Sequence, residues 1–315
     1  MVRQSGSGQV RVGVSACLLG HEVRYDGGHK RDAFLTETLG RFVEFVPVCP
    51  EVELGLGVPR ESVRLERGRD EIRMIGNDSG SDYTVSMREY AEQRVDTIAS
   101  LELCGYILKH NSPSCGLESV TIFGEPNLSG RGLFAANLTR RLPLLPVAEE
   151  TSLKDIPSRE HFVERIFAYH RLRSFFDNGW ARTSLFSFHE IHELQLMAHS
   201  AQSYDELLRL IDTAASAVLR ERYEAGFMLA ISEHPEPAQH VRVLRRISNH
   251  VRPHLGQAEC DELDEAISTY QAGRTTWFAT ISSMLHYIEQ FEIDYFKRQT
   301  YLEPYPLELM VQPLG

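Results

Sequence analysis

The chain has 315 residues, 42% of them apolar, and a formal net charge of −11; this length favours two domains, and this composition a globular protein with no low-complexity tract. No unbroken apolar run is long enough to cross a membrane, and the opening MVRQSGSGQV is short, polar and without the apolar stretch of a secretory signal, which implies a cytoplasmic protein. The acidic balance excludes a protein that coats nucleic acid indiscriminately, but it is uneven: residues 1–145 carry 17 basic against 19 acidic residues, and residues 146–315 carry 16 against 25.

Strand and helix signals alternate through the first half, which predicts an α/β domain with an open, mainly parallel sheet and crossover helices. VRVGVSA (Val10–Ala16) reads as the first strand, KRDAFLTETLGR as a helix and FVEFVPV (Phe42–Val48) as the second strand. VRLERGRDEIRMIG reads as a hairpin excursion, and DYTVSMREYAEQRVDTIASLEL has the apolar period of an amphipathic helix. GYILK (Gly105–Lys109) is the third strand; a helix near GLFAANLTRR and a fourth strand, LPLLPV (Leu142–Val147), follow. Beyond a boundary near Glu149–Pro157 the pattern is helical throughout. SREHFVERIFAYHRLRSFF, FSFHEIHELQLMAHSA, SYDELLRLIDTAASAVLRERYEAGFMLAI, PAQHVRVLRRISNHV, ECDELDEAISTYQAG and TTWFATISSMLHYIEQF carry it, with Ser, Pro and Gly at the breaks. The expected organisation is an α/β domain over residues 1–148 and an all-α helical domain over residues 149–315.

Five cysteines, Cys17, Cys49, Cys104, Cys115 and Cys260, are odd in number and widely spaced in a chain too large to need stapling. Reduced thiols or metal ligands are expected, not disulfides. Cys17 follows the first strand, Cys49 the second, and Cys115 lies in the loop after the third, within KHNSPSCGLES. Loops leaving neighbouring strands of an open α/β sheet converge at their carboxyl ends, so these three thiols are expected to meet. Cys104 sits at the opposite end of its strand and Cys260 in a helix; both read as buried structural thiols. The spacings of 32 and 66 residues match no standard zinc or ferredoxin pattern. On the residues alone the three convergent thiols are small buried hydrophobes, a zinc site with an open position, or ligands of an iron–sulfur cluster with one iron left free.

SACLLGHEVRYDG (Ser15–Gly27), VCPEVELGLGVPRESVRLE (Val48–Glu66) and SPSCG (Ser112–Gly116) together resemble the 2-thiouracil desulfurase family, also called domain of unknown function 523, over about residues 10–148. FHEIHELQLMAHSAQSYDELLRLI and RQTYLEPYP (Arg298–Pro306) resemble, more loosely, domain of unknown function 1722 over about residues 155–312. The combination is similar to bacterial tRNA 4-thiouridine desulfidases. The resemblance implies a 4Fe-4S cluster held by Cys17, Cys49 and Cys115 with one iron open. It also implies removal of sulfur from thiolated uracils without net redox change, with 4-thiouridine in tRNA as substrate. Free thiouracil or 4-thiouridine monophosphate is the alternative substrate, and a non-catalytic iron–sulfur or zinc protein the reading from another class. The chain departs from its relatives at Glu193, where they tend to have Lys, and in RRISNHVRPHL, where they show an aromatic and lysines.

Such chemistry asks for a thiophilic metal to draw off sulfur and a base to activate water. Glu51, two residues after Cys49, is the expected base. Ser112 and Ser114 are expected to donate hydrogen bonds to substrate or cluster sulfur, or else to shape the turn. Arg24, Tyr25 and Asp26 of RYDG, with Lys109, are expected to bind the substrate's phosphate and base, the alternative for Asp26-Gly27 being a plain turn. Arg60 and Glu66 read as an ion pair or as pocket lining. The RNA-binding candidates are Arg165, Arg171 and Arg173, then Arg242, Arg245 and Arg246, whose i, i+3, i+4 spacing puts them on one helical face. His189, His192 and His199 share roughly one helical face and read as core contacts in preference to metal ligands.

Overall fold

The computed structural model describes residues 9–126 and 128–310; Met1–Gly8, which hold most of the polar opening, Asn127 and Val311–Gly315 lie outside the described residues. The chain forms two compact units, Gly8–Tyr169 and His170 onward.

In the first unit the strands are β1 (Arg11–Ser15), β2 (Glu44–Val48), β3 (Val63–Arg67), β4 (Ile72–Gly76), β5 (Gly105–Leu108), β6 (Val120–Phe123), β7 (Ser129–Gly130) and β8 (Val147–Glu149). One sheet runs β2-β1-β5-β8 and is parallel at every pairing. Its central strands are apolar without alternation because both faces are covered: Val12, Val14, Tyr106, Ile107 and Leu108 are all buried. The helices of this unit are α1 (Pro50–Glu53), α2 (Thr84–Ser100) and α3 (Leu133–Arg141). Along α2 the buried residues Thr84, Met87, Ala91, Val95 and Ile98 recur every three or four positions, the spacing that lines up one helical face. Ala91, Val95 and Ile98 of that face pack with Phe134, Ala135 and Leu138 of α3 against Tyr106 and Leu108 of the sheet. Each large side chain buried there stabilises the unit by about 1.5–3 kcal/mol.

The α/β reading holds, with differences in detail. The hairpin excursion is β3 and β4, antiparallel from Val63↔Gly76 to Arg67↔Ile72, but it belongs to a second sheet, β4-β3-β6-β7, two strands of which the sequence did not announce. Both are very short. β6 alternates Val120 and Ile122 inward with Thr121 and Phe123 outward. The fourth strand of the main sheet is Val147–Glu149, not Leu142–Val147. Pro143 and Pro146 have no N–H to donate to a ladder, and pairing starts where Tyr106 N–H donates to the Pro146 carbonyl. The helix expected over residues 30–41 is a five-residue π turn, Phe34–Thr38, followed by a 3-10 turn, Leu39–Arg41. The Thr36 hydroxyl bonds back to the Asp32 carbonyl at 2.9 Å, a local bond that competes with regular helix.

The helical region consists of α4 (Ile156–Asp177), inside which the unit boundary falls, α5 (Arg182–Ile191), α6 (Glu193–Thr213), α7 (Ser216–Ser232), α8 (Pro237–Val251), α9 (Gln257–Gln271), α10 (Trp277–Gln290), and the short α11 (Asp294–Lys297) and α12 (Leu307–Met310). The stretch 203–231, expected as one helix, is the end of α6 and all of α7, split at Ala214–Ala215. No helix among the described residues is long and apolar enough to cross a membrane.

FHEIH and RQTYLEPYP interlock. The chain breaks between α5 and α6 at His192, and a break inside a core strands backbone groups that must find partners. Gln299 supplies two: its Oε1 accepts from Leu194 N–H at 3.1 Å and its Nε2 donates to the Glu190 carbonyl at 2.8 Å. Thr300 N–H donates to the Ile191 carbonyl at 2.9 Å. Arg171 closes the same knot, donating to His192 Nε2 at 3.3 Å and to the Pro304 carbonyl at 2.7 Å.

His189, His192 and His199 are buried core contacts, meeting Tyr223 OH at 3.0 Å, the Phe188 carbonyl at 2.7 Å and the Glu233 carbonyl at 2.7 Å. Burial lowers the His189 pKa from 6.5 to about 4 and that of His192 well below 6.5. Below pH 6.5 the unfolded chain takes up protons that these folded histidines refuse, so their contribution is full above 6.5 and lost as pH falls towards about 4. Trp180 and Trp277, the two tryptophans of the chain, both lie in the helical unit and report on it. The urea midpoint of their fluorescence is expected to fall between pH 6.5 and 4, and more shallowly in His189→Asn. An equally steep fall in the variant contradicts this account.

Candidate functional site

Each convergent cysteine is held by the turn that ends its strand. Cys17 lies in a 3-10 turn, Ala16–Leu19, directly after β1. Cys49 directly follows β2 and precedes α1, whose first residue, Pro50, needs no N–H there. Cys115 lies in the loop after β5. Because β2, β1 and β5 are adjacent and parallel, these turns leave the same edge of the sheet, and all three cysteines line one cleft of about 590 Å³. Cys104 and Cys260 are buried elsewhere: Cys104 N–H pairs with the Arg11 carbonyl at the opposite end of the strands, and Cys260 is in α9.

Burial raises all three thiol pKa values, that of Cys17 to about 11, and the proximity of the other cysteines raises those of Cys17 and Cys115 further. Thiols so placed stay protonated until something positive takes the proton's place, which is what a thiophilic metal does. Among the described residues no three His, Cys, Asp or Glu side chains are gathered tightly enough for one ion. A cubane does not require that, since each of its irons takes a single thiolate, so three separated thiols around one cleft fit such a group.

The Cys115 loop is rigid. Ser112 Oγ accepts from Cys115 N–H at 3.1 Å and from Ser114 N–H at 3.4 Å, so Ser112 shapes the turn. The carbonyls of Pro113, Ser114 and Gly116 accept the first N–H groups of α3 and of Gly132 before it, groups a helix cannot satisfy itself. Glycine is required at both joints. A Cβ on Gly116 would lie 2.3 Å from Val120, and one on Gly132 would lie 2.4 Å from the Ser114 carbonyl.

Ser114 has a different partner. Its hydroxyl is fully buried and donates to Glu51 Oε1 at 2.8 Å. Glu51 Oε2 accepts twice from Arg60, at 2.7 and 3.0 Å, and Arg60 is itself fixed by donating to the carbonyls of Val23 and Gly57. Arg60 therefore pairs with Glu51 and not with Glu66, which meets Arg64 at 3.0 Å and Arg73 at 3.7 Å. Glu51, Arg60, Ser112 and Cys115 all line the cleft.

Glu149 and Glu150, at the end of β8, went unnoticed in the sequence. Glu150 accepts from the Lys109 ammonium and from His110 N–H. Glu149 accepts from Leu117 N–H at 2.6 Å and faces His110 Nδ1 at 2.8 Å. Burial works against ionising Glu149, but His110 and the Leu117 amide outweigh it and hold its pKa below the ordinary value. A Glu-Glu pair beside the Lys-His ending the neighbouring parallel strand is the signal that would have found them.

The remaining candidates divide. Arg24, Tyr25 and Lys109 line the cleft, with the Arg24 guanidinium 5.4 Å from the Tyr25 ring centre. Asp26 does not line it; its carboxylate accepts from Gly28 N–H at 3.0 Å, which lowers its pKa, and lies 3.4 Å from Arg24, so it serves the turn. Arg242, Arg245 and Arg246 are exposed on one face of α8, as their spacing predicts. Arg245 donates to Gln271 at 3.2 Å and Arg246 to Glu193 at 2.6 Å. Arg165, Arg171 and Arg173 are half-buried; burial lowers the Arg165 pKa, and Arg171 is spent on the His192 knot. These three do not form an exposed cationic face.

The model of the family described as 2-thiouracil desulfurase matches residues 12–150, and that described as protein of unknown function DUF1722 matches residues 193–306. An uncharacterized protein of Bacillus subtilis (strain 168), YbbK, is 32% identical over 153 residues, 45% of this chain and 97% of that protein. An uncharacterized protein of Escherichia coli (strain K12), YbgA, is 27% identical over 155 residues, 48% of this chain and 92% of that protein. The solved structure of a [4Fe-4S]-dependent thiouracil desulfidase, TudS, is 32% identical and covers 46% of this chain and 93% of its own, with a TM-score of 0.39.

Proposed function

The chain belongs to the 2-thiouracil desulfurase family through residues 12–150, and on that footing we propose that it converts 4-thiouridine in tRNA to uridine, the reaction residing in residues 1–148 and residues 149–315 holding the RNA in the cytoplasm. The observation that carries the reading is that Cys17, Cys49 and Cys115 line one cleft together with a carboxylate, Glu51, fixed by Arg60 and Ser114. Cys17, Cys49 and Cys115 would hold a 4Fe-4S cluster, which when bound supplies a soft Lewis acid for sulfur at an iron the protein leaves open.

The protein's own groups supply the rest. A thiocarbonyl carbon is a poor electrophile towards water, so the water must be deprotonated as it adds. Glu51 Oε1 receives one hydrogen bond, from Ser114, and keeps an acceptor position for that water's proton. A C–O bond forms, the C–S bond breaks, and sulfur departs as hydrosulfide, so no electron is gained or lost. Arg60 and Ser114 position the carboxylate so that little reorganisation is left for the reaction itself.

Desulfuration of a free thiolated uracil nucleotide is the second reading. It is favoured by the engagement of Arg171 and Arg246 with His192 and Glu193, which takes two cations from an RNA surface. Anaerobically reconstituted full-length protein is expected to bleach the near-ultraviolet absorbance of 4-thiouridine in tRNA. Bleaching of the free nucleotide alone selects the second reading; bleaching of neither, with the cluster intact, rejects both and leaves a binding protein.

A further inference from the structure

The cleft is cationic in an acidic chain. Its charged lining is Arg24, Lys30, Arg60, Arg64 and Lys109 against Glu51 alone. Most of these cations are committed: Arg60 to Glu51, Lys109 to Glu150, Arg64 to Glu66 and Asn77, and Arg24 to the exposed Asp26. Lys30 is not. It is exposed, and its ammonium has no partner among the described residues, although its backbone is pinned beside the first thiol, its N–H donating to the Cys17 carbonyl at 2.9 Å. A free ammonium on a fixed backbone is ready to meet an anion without first breaking a pair.

Aromatic exposure points to the same place. The large apolar side chains left exposed in this unit are Tyr25, Val58, Val85 and Phe123, and both aromatic ones line the cleft. Phe123, 52% exposed at the end of β6, is on the outward side of its strand because Val120 and Ile122 take the core side. A flat apolar ring and an unpaired cation lining one cleft are the two groups that recognise a nucleotide, one for the base and one for the phosphate.

We propose that Lys30 and Phe123 form a nucleotide subsite at this cleft, Lys30 taking a phosphate of the substrate and Phe123 stacking on a base. The subsite rests on the reading that the cleft receives a uracil ring, and it makes the true substrate a nucleotide and not a free base. The phosphate is either the reacting nucleotide's own 5′-phosphate or the backbone phosphate that links it to a neighbour.

Calorimetric titration of the full-length protein with uridine, uridine 5′-monophosphate and the dinucleotide uridylyl-uridine separates these without relying on turnover. Wild type is expected to bind at least one phosphorylated ligand roughly tenfold more tightly than uridine, and Lys30→Glu to lose that gain while still binding uridine. A gain with the monophosphate identifies the 5′-phosphate; a gain with the dinucleotide alone identifies the backbone phosphate. Phe123→Ala is expected to weaken the favoured ligand, also roughly tenfold. Uridine bound with no gain from either phosphate, or a gain that survives Lys30→Glu, overturns the subsite and leaves the desulfidase reading standing. No binding of any of the three overturns both.

Discussion

Cys115→Ala is expected to yield a folded protein that takes up no stable cluster: the brown chromophore is absent after anaerobic reconstitution and desulfuration falls to the background rate. The thiol is buried in a loop clamped on one side by Ser112 and on the other by the start of α3. No other cysteine can move in to replace it, because Cys104 and Cys260 lie outside the cleft. On the proposed assignment the loss is one ligand of three. The cost to folding is small by comparison, about 1 kcal/mol for trimming a buried sulfur together with its hydrogen bond to Ser15, so the melting temperature separates ligand loss from unfolding. Cys104→Ala and Cys260→Ala are the matched controls and are expected to keep colour and activity. A cluster that persists in Cys115→Ala, or disappears in Cys104→Ala, removes the ligand assignment.

Glu51→Gln is expected to lower kcat by about 10²–10⁴, the usual worth of a positioned general base, with much less effect on KM. The substitution also disturbs a buried ion pair, since the side chains of Arg60 and Glu51 are only 6% and 14% exposed. Stranding the guanidinium costs stability of order 3 kcal/mol, and a poorly folded variant would imitate a catalytic defect. The double variant Glu51→Gln with Arg60→Met removes that ambiguity, as it leaves no unpaired charge. It is expected to recover most of the melting temperature and none of the rate. Recovery of both shows Glu51 to be a structural partner of Arg60 and removes it as the base.

The three thiols were the most legible part of the site. Cys17 and Cys49 could be placed because each closely follows an apolar β-branched run that marks a strand end, and Cys115 because its loop leaves the third such strand; parallel neighbours expose their ends on one edge. Glu51 was legible from its neighbourhood to Cys49. Its partner was not, since Arg60 stands nearer to Glu66 in sequence and only the path of residues 54–60 turns it back towards α1. Ser112 and Ser114 looked alike in the chain, yet one serves backbone amides and the other a carboxylate, a difference of side-chain direction two residues apart. Lys30 and Phe123 gave no signal, being the first residue of an expected helix and a phenylalanine in a strand too short to read.

By itself the sequence determined what depends on local periodicity and on residue type: an α/β half followed by a helical half, thiols at the ends of three strands, a carboxylate beside one of them, and three arginines on one face of α8. The tertiary structure alone decided which charges are spent. Arg171, Arg246 and Lys109 read as free cations in the chain and are engaged in the fold, by His192 and the Pro304 carbonyl, by Glu193 and by Glu150, while Arg60, read as a partner of Glu66 or as pocket lining, pairs with Glu51. The physical reason is that hydrogen bonds and ion pairs act over a few ångströms between side chains brought together by packing, from as far as 133 positions apart for Arg171 and Pro304, whereas strand and helix patterns are written by neighbours along the chain.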